Sequence, residues 1–214
     1  MYELGLYEKS MPNTLSFKEK LETVKATGFD FLEMSVDETD EKLARLEWTK
    51  EERLELVKTM YETGGSMCLS GHRKYPFGSH DASVRERSME IMEKAIELAD
   101  DLGIRVIQLA GYDVYYEEGD ADTLEFFIDN LKKATLLAAQ KGIVLGFETM
   151  ETPFMNTVEK SMRFVNLVDS PYLQVYPDSG NLKNASLEPG AKNVYEDIEL
   201  GKGHIVAAHL KETI

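Results

Sequence analysis

Three short apolar runs in the last third of the chain each end on a side chain that can bind a metal. The runs are VLGFET at 144–149, LQVYPDS at 173–179 and IVAAHLKE at 205–212. Their terminal polar residues are Glu148, Asp178 and His209, separated by 30 and 31 positions, about the length of one βαβ step. The C-terminal ends of parallel strands lie along one edge of the sheet, so two carboxylates and an imidazole are predicted to converge there. Such a set of oxygen and nitrogen ligands can hold a divalent metal.

Each of these residues also has a simpler interpretation. Glu148 can be a carboxylate paired with a neighbour, although as a metal ligand it can double as a base. Asp178 lies in PDSGN, a typical turn sequence. His209 lies on a predicted buried strand, where a hydrogen-bonded core histidine is common. The regular spacing of all three favours the metal site over three separate structural roles.

The elements that must position these residues alternate along the whole chain. Predicted strands lie at 2–7, 29–36, 66–72, 104–111, 143–148, 172–178 and 204–210. Predicted helices lie at 16–28, 48–65, 83–103, 121–142, 156–168 and 190–201. Ser16 and Thr49 are predicted helix N-caps, and Glu52 completes a capping box with Thr49. A glycine follows nearly every helix, at Gly28, Gly65, Gly103, Gly142 and Gly203.

This alternation predicts a parallel sheet with helices packed outside it. Seven strands in one series favour a (β/α)₈ TIM barrel over a doubly wound sheet, and no G-x-G-x-x-G turn follows the first strand. We expect a single domain over residues 1–214. The eighth strand has no counterpart, so the sequence predicts a barrel that is truncated at its C-terminus. Exposed strand edges favour self-association, which predicts a homodimer.

Composition narrows the class of partner. The chain has 24 basic and 39 acidic residues, a formal net charge of −15. Nucleic acid and anionic membranes are polyanionic, so neither is expected as a partner. The single cysteine, Cys68, cannot form an intrachain disulfide. With no signal peptide and no long apolar run, we expect a cytoplasmic protein.

Further polar residues are predicted at the same edge of the barrel, where TIM-barrel active sites lie. We expect Glu33, His72, Arg73, Asn181 and Lys211 to bind the substrate. The arginine suits bidentate contact with a phosphate, but the loop HRKYPFGS at 72–79 can equally be a solvated loop. Glu33 can also lie behind the metal ligands or pair with a neighbour. The Tyr-rich loop at 111–120 either covers the substrate or is ordinary acidic surface.

Six segments, taken together, resemble one known family. They are LEMSVDE, LSGHRKYPFGS, QLAGYDVYYEE, GFETMETPFMNTVEKS, YPDSGNL and AHLKET. In this order they are similar to the L-ribulose-5-phosphate (L-xylulose-5-phosphate) 3-epimerases of ascorbate and pentose catabolism, which belong to the xylose-isomerase-like TIM-barrel superfamily. The resemblance covers essentially the whole chain.

The resemblance implies a ligand set for one divalent ion, which can be Mn, Zn, Co or Mg. By motif, the Glu after strand 5 is Glu148, the Asp after strand 6 is Asp178 and the His after strand 7 is His209. A fourth ligand, a Glu after strand 8, has no counterpart in these 214 residues. In related ketose 3-epimerases that Glu is also the second catalytic carboxylate. The D-x-x-N pattern ending at Asn181 favours the sugar branch over the superfamily's endonucleases.

The implied activity is metal-dependent epimerisation at C3 of a ketopentose 5-phosphate. Glu148 removes the C3 proton to give an enediolate, and a second carboxylate returns a proton to the opposite face. One alternative is an inactive barrel fragment that lacks the second catalytic Glu. The other is a phosphodiester-cleaving enzyme of the same superfamily, which the acidic charge and Asn181 disfavour.

Overall fold

Six parallel strands form one sheet in the chain's own order. The computed structural model describes residues 2–36, 39–71 and 74–211. The strands are β1 (Gly5–Tyr7), β2 (Phe31–Ser35), β3 (Ser66–Gly71), β4 (Val106–Ala110), β5 (Val144–Glu148) and β6 (Leu173–Tyr176). Each strand pairs in parallel with the next, from β1 to β6. All six C-terminal ends therefore lie along one edge, as the sequence predicted.

Helices connect the strands. They are α1 (Phe17–Ala26), α2 (Asp40–Leu43), α3 (Lys50–Thr63), α4 (Ala82–Asp101), α5 (Ala121–Gln140), α6 (Val158–Val168), α7 (Ser179–Ala185) and α8 (Val194–Glu199), with 3₁₀ turns at Glu8–Ser10 and Ala44–Glu47. The predicted capping boxes at Ser16 and Thr49 are confirmed. The helices α2 and α7 were not predicted because four to seven residues show too little periodicity. Within the described residues, no helix is long and apolar enough to cross a membrane.

The glycine expected to end the second long helix was misplaced by one residue. Gly64, and not Gly65, adopts the left-handed conformation at the C-cap of α3, with φ of 65°. Its backbone N–H donates to the carbonyls of Met60 and Tyr61. The sequence offers two adjacent glycines, and local pattern alone does not choose between them.

Strand β5 shows how the sheet separates its core from its site. Leu145 and Phe147 are fully buried in the hydrophobic core between the sheet and the helices. The ring of Phe147 lies 6.0 Å from Phe127 of α5 and 6.2 Å from Phe164 of α6. Side chains alternate along a strand, so Glu148 points to the opposite face, the inside of the sheet's arc.

The prediction of a regular seventh strand at 204–210 is wrong. Only two isolated parallel bridges join this segment to the neighbourhood of β6, at Val175–Ile205 and Asp178–His209. Pro177 has no N–H, so it cannot donate the ladder bond that regular pairing needs there. Between the two bridges the β6 side advances three residues, from Val175 to Asp178, whereas the other side advances four, from Ile205 to His209. One extra residue on one side of a pairing defines a β-bulge. The bulge shifts His209 by one position and reverses the face on which it lies.

Candidate metal centre

The structure brings the three predicted metal ligands together. Glu148 is the last residue of β5, Asp178 is the N-cap of α7 just after β6, and His209 pairs with Asp178 across the bulge. One ligand atom from each residue lies within 4.8 Å of the other two. Both carboxylates are buried and the histidine is half-buried. The convergence predicted from spacing is therefore present in the geometry.

The donor set fits a divalent cation. Nδ1 of His209 lies 2.7 Å from Oε1 of Glu148 and 4.0 Å from Oδ2 of Asp178. Asp178 is 1% exposed, and its Oδ2 accepts no directed hydrogen bond. The ammonium of Lys211 lies 2.9 Å from that oxygen as an ion pair. A buried carboxylate oxygen that faces an imidazole and a second carboxylate is suited to metal coordination.

The two carboxylates are held from behind by polar side chains. The amide of Gln108, on β4, donates to Oε2 of Glu148 at 2.5 Å. The hydroxyl of Thr149 accepts the backbone N–H of Asp178 at 2.9 Å. Asn181 donates its backbone N–H to Oδ1 of Asp178 and its side-chain amide to the carbonyl of Thr149, both at 2.8 Å. These bonds leave Oε1 of Glu148 and Oδ2 of Asp178 directed toward the histidine.

The imidazole of His209 is enclosed on several sides. Tyr7, the last residue of β1, stacks on it with ring centroids 5.5 Å apart and 17° between the planes. Tyr176 of β6 meets it edge-on at 4.9 Å. Both oxygens of Glu33, on β2, lie 3.0 Å from Nε2. His209 therefore connects the C-terminal segment of the chain to β1 and β2.

The surroundings of His209 strongly change its pKa in the metal-free chain. Burial lowers the pKa, but the hydrogen bonds to Glu148 and Glu33, with the charges of both carboxylates, raise it to about 10. At neutral pH the ring therefore carries a proton on each nitrogen. A metal at this site must displace one of them, because only a neutral imidazole coordinates.

The predicted substrate-binding residues fall into three groups. His72 and Arg73 lie outside the described residues. Lys211 reaches the edge of the cluster through Asp178. Asn181 is buried, and its hydrogen bonds to Asp178 and Thr149 hold the strand ends together. Glu33 contacts the histidine. Substrate binding by these residues stays a prediction.

Sequence reasoning missed the aromatic residues around the centre. Tyr7 ends β1 at the same edge as the predicted ligands, so the rule that found Glu148 applies to it equally. In the Tyr-rich loop, Tyr112 and Tyr116 both donate their hydroxyls to the carboxylate of Glu151 at 2.7 Å. Glu151 and its two tyrosines therefore form a polar cluster next to the β5 end. No local pattern in the sequence distinguishes Glu151 from other exposed carboxylates.

Comparisons with known proteins agree with this fold. The family model of the xylose isomerase-like TIM barrel matches residues 21–214. The chain is similar to a solved structure of L-ribulose 3-epimerase, with a TM-score of 0.80 and 21% identity, covering 99% of this chain and 70% of that one. It is also similar to a D-psicose 3-epimerase from Clostridium cellulolyticum H10, with a TM-score of 0.84 and 17% identity, covering 99% and 73%. The fold is thus a xylose isomerase-like TIM barrel, with fewer strands here than a full barrel has.

Closer relatives define the branch. The L-ribulose-5-phosphate 3-epimerase UlaE of Escherichia coli O157:H7 is 47% identical over 213 residues, covering 98% of this chain and 73% of that protein. The protein of the same name from Shigella boydii matches to the same extent, at 47% over 98% and 73%. The chain therefore belongs to the xylose isomerase-like TIM barrel family and, within it, to the L-ribulose-5-phosphate 3-epimerases. This confirms the resemblance drawn from the six sequence segments.

Proposed function

We propose that the chain takes part in metal-dependent epimerisation at C3 of a ketopentose 5-phosphate, namely L-ribulose 5-phosphate or L-xylulose 5-phosphate. The observation that carries this proposal is the convergence of Glu148, Asp178 and His209 within 4.8 Å at the C-terminal edge of the sheet. The names of the relatives support the same substrate class. One divalent ion, Mn, Zn, Co or Mg, would be held by these three residues.

The chemistry follows from the acidity of the substrate. Glu148, Asp178 and His209 would hold a divalent ion, which would polarise the C2 carbonyl and acidify the hydrogen on C3. The carboxylate of Glu148 accepts that proton. The hydrogen bond that Gln108 donates to Glu148 keeps this carboxylate in position. Asp178 and His209 hold their positions through the bulge and the cap of α7.

Inversion at C3 requires a second proton carrier on the other face of the substrate. The resemblance assigns this role to a Glu after an eighth strand, which has no counterpart in these 214 residues. Glu148 alone is sufficient to exchange the C3 proton with solvent, since it can remove and return a proton on one face. Exchange and inversion are therefore separable reactions, which one assay can follow independently.

Substrate recognition extends the proposal. We propose that Arg73 and His72 contact the phosphate and that Lys211 and Asn181 line the sugar site, since all follow strand ends at the site edge. The proposal further includes a single domain, a cytoplasmic location and a homodimer.

The test follows L-ribulose 5-phosphate in D₂O by NMR with added Mn²⁺ or Zn²⁺. Loss of the C3 proton signal, with or without formation of L-xylulose 5-phosphate, is the expected result. Exchange without inversion supports a metal centre with one proton carrier, whereas the inactive-fragment alternative predicts neither reaction. The absence of both reactions with Mn, Zn, Co and Mg would contradict the proposed function.

A further inference from the structure

Glu33 contributes a contact that joins opposite parts of the chain. It lies within β2, beside Tyr7 of β1, and is 4% exposed. Both of its oxygens lie 3.0 Å from Nε2 of His209, 176 positions further along the chain. The other ring nitrogen, Nδ1, faces Glu148 at 2.7 Å. The two edges of one imidazole thus face two different carboxylates.

The roles of the two carboxylates differ by their surroundings. Oε1 of Glu148 belongs to the cluster of ligand atoms, together with Asp178. Glu33 is not part of that cluster among the described residues. The hydroxyl of Tyr176 donates to Oε2 of Glu33 at 3.3 Å, which further ties this carboxylate to the Nε2 edge. Glu33 is therefore placed behind the histidine and not beside the cation.

From this arrangement we infer that Glu33 is a positioning residue, which holds the Nε2–H of His209 and thereby presents Nδ1 as the metal-binding atom. The inference rests on the proposed metal dependence. An ionised carboxylate only accepts hydrogen bonds, so it fixes a proton on the nitrogen that faces it. A neutral imidazole has one N–H and one lone pair, so the lone pair then lies on Nδ1. Hydrogen bonds of this kind orient metal-binding histidines and increase their basicity.

The aromatic contacts complement this role without replacing it. Stacking on Tyr7 sets the plane of the imidazole. A half-turn of the ring about its Cβ–Cγ bond keeps that plane but exchanges the nitrogens for carbons at both edges. Such a turn would place a C–H group against Glu33 and another against Glu148. Glu33 therefore favours, from the Nε2 side, the ring orientation in which Nδ1 faces the ligand cluster.

Two readouts on the zinc-loaded chain test the inference. The first is ¹⁵N NMR of the His209 ring, with Zn²⁺ as a diamagnetic probe. We expect zinc on Nδ1 and a slowly exchanging proton on Nε2. The second is the zinc affinity, measured by competition with a chromophoric chelator. Glu33→Leu removes the acceptor and should weaken zinc binding by about 10- to 100-fold.

Matched variants separate positioning from packing and from net charge. Glu33→Gln keeps the size and one acceptor oxygen, so it should recover part of the affinity that Glu33→Leu loses. Glu47→Gln makes the same change of charge at an exposed residue that pairs with Lys94, and it should leave zinc affinity unchanged. If Glu33→Leu fails to fold, the ring spectrum of the wild type and the affinity of Glu33→Gln still decide.

Zinc on Nε2 in the wild type would overturn the inference. Wild-type zinc affinity in both Glu33→Leu and Glu33→Gln would overturn it as well, while leaving the proposed metal site standing. A wild-type chain that binds no Zn²⁺, Mn²⁺ or Co²⁺ would overturn the proposed function and this inference together.

Discussion

Two clusters of buried charged side chains lie at the same edge of the sheet, and their charge balances are opposite. Glu8, which follows β1, is fully buried beside three cations: Arg45 at 2.7 Å, Lys20 at 3.5 Å and Lys42 at 3.6 Å. The backbone N–H of Ser35 also donates to it at 3.1 Å. Burial raises the pKa of Glu8, but Arg45, Lys20 and this N–H together bring it below its usual value.

The metal centre has the reverse balance. Glu33, Glu148 and Asp178 surround His209, and Lys211 is the one ammonium paired there within the described residues. Charges removed from water are costly unless they are paired. The charge of Glu8 is compensated by the chain's own side chains, which indicates a structural role. The centre gathers excess negative charge, which suits the cation that we propose to bind there.

The largest effect should follow from removing the proposed base. Glu148→Gln removes both a metal ligand and the group that accepts the C3 proton, so solvent exchange at C3 should fall by about a thousandfold. The measurement is the NMR exchange assay. Glu159→Gln, which changes an exposed carboxylate paired with Lys192, is the control and should exchange normally. Wild-type exchange in Glu148→Gln would remove Glu148 from the mechanism.

On the structural side, Arg45→Met should lower the free energy of unfolding by about 3 kcal/mol. This change leaves Glu8 buried without its closest cation and removes the bond from Arg45 to the carbonyl of Ser35. Urea unfolding of the metal-free chain measures the effect. Arg87→Met removes an exposed pair with Glu90 and should cost much less. Equal losses in the two variants would mean that the Glu8 cluster adds nothing to stability.

Zinc affinity should rise by about tenfold per pH unit between about pH 6 and 8. The pKa of His209 is raised from 6.5 to about 10. Its proton therefore stabilises the metal-free fold fully below about pH 6.5, and this contribution is lost as the pH rises through about 10. Zinc replaces that proton, so binding strengthens across this window. Calorimetry in buffers of different ionisation enthalpy should count about one released proton, and a pH-independent affinity would contradict the protonated histidine.

The smallest effect should be on stability at the metal centre itself. Asp178→Asn keeps the helix cap of α7, because Asn caps as well as Asp. It also removes one negative charge from an excess, so the metal-free free energy of unfolding should change by less than about 1 kcal/mol. Zinc affinity should nevertheless fall sharply. A loss of stability as large as that of Arg45→Met would erase the distinction between the two clusters.

Local patterns in the sequence predicted many of the helix starts and strand ends. Ser16 and Thr49 mark helix starts because a capping box involves only residues three positions apart. Glu148 and Asp178 were predictable because each ends an apolar run at βαβ spacing. The choice of Gly64 over Gly65 was not, nor were the short helices α2 and α7. The partners of Glu8 were also missed, since its cations lie 12 to 37 positions away and become neighbours only in the folded chain.

By itself, the sequence determined the alternation of strands and helices, the edge on which the polar residues lie and which three residues converge there. These depend on periodicity and spacing, which are properties of neighbouring residues. Only the tertiary structure decided how His209 is presented. Pro177 interrupts the ladder beside it, a bulge sets the face on which it lies, and Glu33 meets its Nε2. Pairing register and contacts over 176 positions arise from closing the sheet into an arc, and no local pattern carries that information.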